Sequence, residues 1–371
     1  MKSLSRKVLC IIGTRPEAIK MAPVVMALRR SVRWDVEVMA TAQHREMLDQ
    51  VLRLFDIAPD VDLNAMRPNQ PLAALTARLL TGIDDCLAER QPAMVLAQGD
   101  TTTVMVAALA CFYRKIPFGH VEAGLRTHDL HYPWPEEMNR LVAGHLATVN
   151  FAPTETARRN LLREGVNASR IHVTGNTVID ALQIVARQDH GQPFDMRPDQ
   201  RMILVTAHRR ENFGAPMISI CKAIGELARK YPQVRFLFPV HPNPNVGRVV
   251  NRELSALPQV TLCEPLDYGA FVTAMKRAYL LLSDSGGVQE EAPALAKPVL
   301  VLRNETERPE AVAEGVVELV GTEAPTIVAR VSALLDDERE YRRMAKGASP
   351  YGDGQAAVRI VNVLDRMEEL Q

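Results

Sequence analysis

The chain has 371 residues, of which 47% are hydrophobic and 24% charged, so its composition is that of a globular protein with a large core. Lysine plus arginine and aspartate plus glutamate both number 44, and the formal net charge is zero. This composition argues against a disordered chain and a small disulfide scaffold, and it removes the general attraction of a basic protein to nucleic acid. At roughly 150 residues per domain, the length predicts two domains or three.

Short β-branched runs alternate with helix-like periodicity along the whole chain. The first half predicts strands at residues 7–12, 35–40, 93–97, 117–121, 149–152 and 171–174, and helices at 46–55, 72–89 and 137–147. The second half predicts strands at 202–206, 234–240, 260–263, 280–283, 299–302 and 316–320. Most of these strands are apolar on both faces, as in a parallel sheet covered by helices. The pattern predicts an α/β fold with two Rossmann-like, doubly wound domains and a cleft between them.

The composition changes near the middle of the chain. Residues 188–201 are polar and rich in proline, glycine and aspartate, as in a linker or a surface loop. We expect a first domain at 1–175 and a second, nucleotide-binding domain at 176–354. The last helix, 355–371, is expected to pack back on the first domain.

The cysteines and the apolar segments predict a cytoplasmic protein. Five cysteines are spread along the chain without a CxxC pair, which is typical of reduced thiols. The first apolar run ends at Gly13 without the cleavage site of a signal peptide, and we interpret it as a strand. Residues 104–112 are far fewer than the roughly 20 that cross a bilayer, so no membrane association is expected.

In open α/β sheets ligands bind beyond the carboxyl ends of the strands, so the residues after each predicted strand are candidate site residues. After the first strand, the segment GTRPEAIK begins a helix. The N-terminus of this helix, with Arg15 and Lys20, favours an anion. An ordinary turn with solvated side chains fits the local sequence equally well.

Three carboxylates follow in the same half of the chain. Asp100 stands in GDTTT, Glu122 in GHVEAGLRT, and Glu136 in PWPEEMNR with Arg140 one turn later. Each has an ordinary alternative: a helix cap for Asp100, a surface ion pair for Glu122, and an i,i+4 pair for Glu136 with Arg140. Three carboxylates at one end of a sheet favour acid–base chemistry.

The second half has cationic and glycine-rich loops at its strand ends. His208 and Arg210 lie in HRRENFG, and His241 follows the next strand. One such histidine is more often structural, but two at equivalent strand ends favour function. The segment DSGGVQEE then begins a helix with small residues, which lets backbone N–H groups approach a phosphate. The candidate phosphate and ribose contacts are Ser285, Gly286, Gly287, Glu291 and Arg308.

Several motifs of other protein classes are missing or misplaced. The sequence has no GxxxxGK[ST] motif, and residues 352–357 fit G-x-G-x-x-A without a preceding strand, so no NAD site is expected. His128 and His131 have the spacing of metal ligands, but no second ligand pair accompanies them. The sequence therefore predicts neither a metal nor another cofactor.

The motifs occur in an order that resembles a known family. They are GTRPEAIKMAP, TAQHREMLDQVL, GDTTT, GHVEAGLRT, PWPEEMNR, HRRENFG, HPNPNV, DSGGVQEEAP, TERPEAV and PYGDGQA. Together they resemble the non-hydrolysing UDP-N-acetylglucosamine 2-epimerases over nearly the whole chain. The resemblance implies the GT-B architecture, a homodimer, and interconversion of UDP-GlcNAc and UDP-ManNAc for surface polysaccharide synthesis without NAD or metal.

The resemblance also implies a mechanism and roles for the candidate residues. A carboxylate removes the C2 proton while UDP leaves C1, and UDP re-adds to 2-acetamidoglucal after the proton returns to the opposite face. The implied catalytic residues are Asp100, Glu122, Glu136, Arg140 and His208. The implied contacts to the UDP part are Arg15, Lys20, Phe271, Ser285, Gly286, Gly287, Glu291 and Arg308, with Asp100, Glu122 and His208 also binding substrate. Which carboxylate is the base stays open.

Some family members bind a second UDP-GlcNAc as an activator. The matching positions here are Gln43, His44, Gln70, Arg210 and His241. Asn69 departs from the arginine of some members, and Leu266 stands where the uracil loop often has glutamine. The alternatives are a hydrolysing epimerase that releases ManNAc and UDP, a GT-B glycosyltransferase, and a non-catalytic sensor of nucleotide sugars.

Overall fold

In the computed structural model of the protein, the described residues are 5–41, 45–67, 69–191, 197, 200–306 and 308–368. Their contacts divide the chain into two units. Unit 1 comprises Met1–Gln183 and Tyr351–Gln371, and unit 2 comprises Ile184–Pro350.

Unit 1 is built on a parallel sheet. Within the described residues, seven strands lie in the order β3-β2-β1-β4-β5-β6-β7. They are β1 Arg6–Ile12, β2 Trp34–Ala40, β3 Val61–Asp62, β4 Met94–Gln98, β5 Phe118–Val121, β6 Val149–Ala152 and β7 Ile171–Val173. The helices are α1 Arg15–Arg30, α2 Arg45–Leu54, α3 Leu72–Arg90, α4 Thr102–Arg114, α5 Glu136–Leu146, α6 Glu155–Arg163, α7 Thr177–Ala186 and α15 Ala356–Glu368, with α7 running into unit 2.

Unit 2 repeats the same topology. Its six described strands lie in the order β10-β9-β8-β11-β12-β13, which is again the doubly wound arrangement. They are β8 Arg201–Thr206, β9 Val234–Pro239, β10 Val260–Cys263, β11 Leu280–Ser283, β12 Val299–Val301 and β13 Val317–Leu319. The helices are α8 Ala215–Lys230, α9 Pro244–Leu254, α10 Tyr268–Arg277, α11 Gly286–Ala294, α12 Pro309–Ala313, α13 Ala324–Asp336 and α14 Glu338–Met344.

The predicted α/β class with two Rossmann-like sheets is confirmed, because both sheets are parallel and consist of strands joined by helices. All twelve predicted strands occur, with ends that differ by a few residues. The two-residue strand β3 was not predicted. It lies at the sheet edge and is too short to produce a period-2 pattern.

The division between the units lies inside α7, whereas the sequence placed it between residues 175 and 176. Hydrogen bonds explain the difference. The carboxylate of Asp180 accepts from the backbone N–H groups of Ala356 and Ala357, at 3.2 and 2.9 Å. Helix α15 is also held at its far end, where Nε1 of Trp34 donates to Oδ1 of Asp365 at 2.8 Å. The first turns of α7 and the C-terminal segment therefore both belong to unit 1.

Each sheet has its own apolar core between strands and helices. In unit 1 the largest fully buried side chains include Phe118 and Phe151, and in unit 2 they include Phe236 and Phe238. All five cysteines are free thiols, and burial raises the pKa of Cys10 and Cys111 to about 12. Continuous apolar strands buried on both faces account for the strong strand signal in the sequence.

Candidate active site

The carboxyl ends of β4 and β5 bring two of the predicted acids to one edge of the unit 1 sheet. Gln98 and Val121 pair in register at the ends of these strands, so the residues that follow them are neighbours. Glu122 has a φ of 62°, which turns the chain sharply away from β5. A left-handed conformation is unfavourable for a residue with a side chain, and such strain is often found at functional sites.

Glu122 is buried in a network of hydrogen-bond donors. Its Oε1 accepts from Nζ of Lys20 at 2.5 Å and from Nδ2 of Asn176 at 2.7 Å. Its Oε2 accepts from Nε2 of Gln98. The side chain of Glu122 is only 6% exposed. The ammonium group of Lys20 compensates the buried charge, so Lys20, predicted as a phosphate contact, also neutralises an acid here.

Asp100 is half-buried and faces Arg140. Nε and Nη2 of Arg140 both donate to Oδ2 of Asp100, at 2.9 and 2.6 Å. Nδ2 of Asn139 donates to the backbone oxygen of Asp100 at 2.9 Å. On the other side of the turn, Nε2 of the buried His120 donates to the oxygen of Gly99 at 2.7 Å, and burial lowers the pKa of His120 to about 4. Three contacts to Asp100 and one to the preceding residue thus fix the position of Asp100 and leave Oδ1 outside the arginine pair.

Helix α5 carries two adjacent acids with different surroundings. Glu137 is buried, and its Oε1 accepts from the backbone N–H groups of Thr127 and His128 at 3.0 Å. Its Oε2 accepts from Nη1 of Arg140 at 2.9 Å. Burial lowers the pKa of Arg140, but the two acids raise it overall. Glu136 is half-buried, and its carboxylate makes no hydrogen bond or ion pair with the described residues.

A further acid at this edge, Glu17, was not predicted from the sequence. Its Oε2 accepts from the backbone N–H groups of Gly13 and Thr14, and Oγ1 of Thr101 donates to its Oε1 at 2.5 Å. Burial raises the pKa of Glu17 to about 7. Thr14 and Glu17 form a capping box at the start of α1. The T-x-x-E spacing of that motif could have identified Glu17 as a cap. Arg15, the first residue of α1, is half-buried.

The equivalent edge of unit 2 presents backbone N–H groups and cations. Ser285 precedes α11, which begins at Gly286. A Cβ on Gly286 would lie 3.7 Å from Nη2 of Arg209 and 4.0 Å from Nη2 of Arg308. Arg308 is held by an ion pair with the buried Glu290. Two guanidinium groups therefore lie beside a helix N-terminus, which is an arrangement that binds phosphate.

Further along α11, Glu291 is buried and accepts a hydrogen bond from the hydroxyl of Tyr268 at 3.0 Å. Phe271, the predicted aromatic contact, lies on the same helix as Tyr268 and is half-buried. Gly287 leaves space beside Glu291, since a Cβ there would lie 3.5 Å from its Oε1. The tyrosine thereby orients the carboxylate, and the sequence did not indicate this partner.

His208 follows β8 and has two neighbours with opposite effects. Its Nδ1 lies 3.2 Å from Oδ1 of the fully buried Asp284. Its ring stacks on His241 with centroids 5.7 Å apart and planes 13° from parallel. Burial, His241 and Arg209 lower the pKa of His208, while Asp284 opposes them. The side chain of His208 is 40% exposed, so the ring is accessible to a ligand.

The described residues predicted for an activator site lie in both units. Gln43 and His44 lie outside the described residues. Gln70 belongs to unit 1, where its Oε1 accepts from Nη1 of Arg78 at 2.5 Å. Arg210 and His241 belong to unit 2 and are exposed. Their role as activator contacts stays a prediction.

The part of the chain that the structure describes contains neither a candidate metal cluster nor a candidate membrane span. No group of three or more histidine, cysteine, aspartate or glutamate residues there could hold a metal ion. No described helix is both long and apolar enough to cross a bilayer.

A comparison with protein families matches residues 26–365 to the model described as UDP-N-acetylglucosamine 2-epimerase. The chain belongs to the UDP-N-acetylglucosamine 2-epimerase family. The epimerase of Escherichia coli K12 is 54% identical over 369 residues, covering 96% of this chain and 98% of the relative. The match with this relative therefore spans almost the entire length of both chains.

Solved structures of family members agree with this assignment. The epimerase of Neisseria meningitidis bound to UDP-GlcNAc is 48% identical, with a TM-score of 0.89 over 97% of this chain and 100% of that chain. The epimerase of Methanocaldococcus jannaschii in complex with UDP-GlcNAc and UDP is 33% identical, with a TM-score of 0.80 over 97% of this chain and 99% of that chain. This family member is thus an epimerase that shares its fold with the epimerases of Neisseria meningitidis and Methanocaldococcus jannaschii.

Proposed function

We propose that this epimerase interconverts UDP-GlcNAc and UDP-ManNAc without releasing free sugar, and that it supplies ManNAc units for surface polysaccharides. The observation that carries the proposal is the set of acids at the carboxyl edge of the unit 1 sheet, where Asp100 and Glu122 follow adjacent strands. Inversion at C2 requires a proton to leave and return, and positioned carboxylates are suited to both steps. The relatives bound to UDP-GlcNAc and to UDP support the choice of substrate.

The diphosphate would bind at the carboxyl edge of unit 2. The start of α11 offers N–H groups at Gly286 and Gly287, and Arg308 lies beside them. The N–H of Ser285 donates to Oγ of Ser283 at 3.0 Å, so we assign the hydroxyl of Ser285 to the diphosphate. We assign Glu291 to the ribose because Tyr268 already fixes its orientation, and Phe271 to the uracil. Donors fixed in advance stabilise charge that develops on the departing diphosphate. Arg15 and Lys20 of unit 1 are assigned to the same substrate on the resemblance alone.

The three candidate acids differ in how freely they could exchange a proton. The Glu122 carboxylate accepts hydrogen bonds from Lys20, Gln98 and Asn176, so using it as a base would require the release of a donor. Both contacts from Arg140 to Asp100 fall on one oxygen, and Glu136 is unpaired among the described residues. We therefore assign proton transfer to Asp100 and Glu136, and positioning of Lys20 to Glu122.

In the proposed reaction one of these acids takes the C2 proton as the C1–oxygen bond breaks. The electrons of the C–H bond form the C1–C2 double bond of 2-acetamidoglucal, and UDP leaves with the electrons of the C1–oxygen bond. A proton then returns to C2 on the opposite face, and a UDP oxygen re-forms the bond to C1. We propose that His208 interacts with the diphosphate and that Arg140 holds Asp100 in place.

The decisive experiment incubates the protein with UDP-GlcNAc in D₂O and follows the proton spectrum. We expect the C2 proton signal to disappear while UDP-ManNAc forms and no free sugar is released. Free ManNAc and UDP would instead indicate the hydrolysing reaction, and binding without exchange would indicate a sensor. The variants Asp100→Asn and Glu136→Gln should lower the exchange rate by roughly 10²- to 10⁴-fold. The matched control Glu155→Gln, at the start of α6, should keep the wild-type rate.

We further propose that the protein is a homodimer and that UDP-GlcNAc activates it through Gln43, His44, Gln70, Arg210 and His241. Sedimentation of the purified protein measures its assembly directly. For activation, the rate with pure UDP-ManNAc should rise when a little UDP-GlcNAc is added. A rate that follows simple saturation and ignores added UDP-GlcNAc would contradict it.

A further inference from the structure

Asp284 is fully buried directly after β11, and one of its oxygens holds the loop that carries His208. Its Oδ2 accepts from the backbone N–H groups of His208 and Arg209, each at 2.8 Å. It also accepts from Nδ2 of Asn212 at 2.9 Å. Three donors on one oxygen occupy its acceptor capacity.

The other oxygen of Asp284 faces the imidazole. Oδ1 is buried, lies 3.2 Å from Nδ1 of His208, and accepts no hydrogen bond of standard geometry from the described residues. A neutral imidazole carries its proton on one nitrogen only, and the bond made by that nitrogen determines which one. A lone pair on Nδ1 would face the lone pairs of a carboxylate, whereas an N–H there satisfies both groups.

We infer that Asp284 is a positioning residue that keeps a proton on Nδ1 of His208, so that Nε2 is the nitrogen that meets the substrate. The inference rests on the proposed function for the identity of that substrate. Besides Asp284, the charged or titratable neighbours of the ring are His241 and Arg209. Asp284 is the anion among these three, and it stabilises the imidazolium that would donate from Nε2 to the departing diphosphate.

The variant Asp284→Asn tests this role because its effect on the ring follows from the hydrogen bonds. The single amide oxygen must serve the three donors that Oδ2 serves now, so the amide NH₂ group turns toward His208. Nδ1 must then accept, and the ring proton moves to Nε2. The loss of the negative charge also lowers the pKa of His208, so the limb of the pH profile that reports its protonation moves to lower pH.

The nitrogen chemical shifts of the His208 ring, assigned by their loss in His208→Asn, report the tautomer without any turnover. We expect the neutral wild-type ring to carry its proton on Nδ1 and the Asp284→Asn ring to carry it on Nε2. The exchange rate at C2 should fall roughly 100-fold or more. A wild-type ring with its proton on Nε2 would overturn the inference, as would an unchanged tautomer and rate in the variant.

Asn212→Ala is the matched variant for a merely structural effect. It removes one donor from Oδ2 but keeps the charge and the oxygen that faces the ring. We expect an unchanged tautomer and a much smaller loss of rate than in Asp284→Asn. Equal losses in both variants, with the tautomer unchanged, would show that Asp284 only holds the loop. Absence of exchange in the wild type would refute the proposed function, while the ring shifts would still decide the role of Asp284.

Discussion

The two sheets share one strand order, but their carboxyl edges carry opposite chemistry. The edge of unit 1 presents acids, of which Asp100 is held by Arg140 and Glu122 by Lys20. The edge of unit 2 presents N–H groups and the guanidinium groups of Arg209 and Arg308. Topology therefore fixes where a site forms, and the few residues after each strand decide whether it handles protons or binds an anion.

One buried acid of unit 2 and two acids of unit 1 are satisfied in different ways. In unit 2 the buried Asp284 is held largely by backbone N–H groups, which among substitutions only proline would remove. In unit 1 one cation, Arg140, serves two acids. The stability of unit 1 should therefore be more sensitive to the loss of a single charge. Anion binding by unit 2 should be more sensitive to the loss of space beside α11.

The largest expected effect follows from removing Arg140. In Arg140→Met the buried Glu137 and the half-buried Asp100 lose their shared cation. Breaking such a pair by deleting one partner typically costs about 3–5 kcal/mol, because a buried charge is left uncompensated. We expect a decrease of that order in the free energy of unfolding, measured in urea.

Arg158→Met is the matched control in the same unit. Arg158 pairs with the exposed Glu155 at 3.5 Å on the surface of α6. Surface pairs contribute at most about 1 kcal/mol. If both variants lost equal stability, the expected difference between buried and surface ion pairs in unit 1 would be wrong.

The second effect is a pH dependence of stability from Glu17. Burial raises its folded-state pKa from 4.5 to about 7, so the folded protein favours the protonated acid. The contribution of Glu17 to the free energy of unfolding is complete below its pKa in the unfolded chain. It disappears as the pH rises through its pKa in the folded protein. We expect this group to lower the free energy of unfolding by about 2–3 kcal/mol between about pH 5 and pH 8.

The variant Glu17→Gln isolates that contribution. An amide resembles the protonated acid in shape and can donate to Oγ1 of Thr101, while its oxygen accepts from Gly13 and Thr14. The difference in stability between wild type and variant should therefore change with pH in this interval. A constant difference from pH 5 to pH 8 would mean that Glu17 stays ionised throughout.

The smallest effect concerns the space beside α11 in unit 2. The Cβ of Gly286→Ala would project between the chain and the guanidinium groups of Arg209 and Arg308. It would displace an anion from one or two charge-assisted hydrogen bonds, each about 1.5–3 kcal/mol. The affinity for UDP, measured by calorimetry, should fall roughly 10- to 100-fold.

Gly225→Ala provides the comparison within unit 2. Gly225 lies inside α8, and its added Cβ would make an ordinary contact 3.6 Å from Cδ1 of Leu257. Alanine is favoured over glycine in a helix by about 1 kcal/mol, so neither variant should unfold unit 2. UDP affinity should stay at the wild-type value in Gly225→Ala. A similar loss in both would point to the helix, and not to the anion site, as the cause.

The sequence alone determined the α/β class, the strands and the family. Parallel strands buried on both faces produce continuous apolar runs, and motifs such as GDTTT and DSGGVQEE lie directly after them. These signals come from residues that are close together in the sequence, so they can be recognised without knowledge of the tertiary structure. The edge strand β3 has only two residues and left no such signal.

Only the tertiary structure decided which partner each charged side chain meets. The i,i+4 spacing offered a pair between Glu136 and Arg140 as the ordinary alternative, but Arg140 contacts Glu137 and the distant Asp100. The pairing of Asp284 with His208 joins residues 76 positions apart. Burial and long-range contacts set the charge state of a group, and neither can be derived from the spacing of residues along a chain.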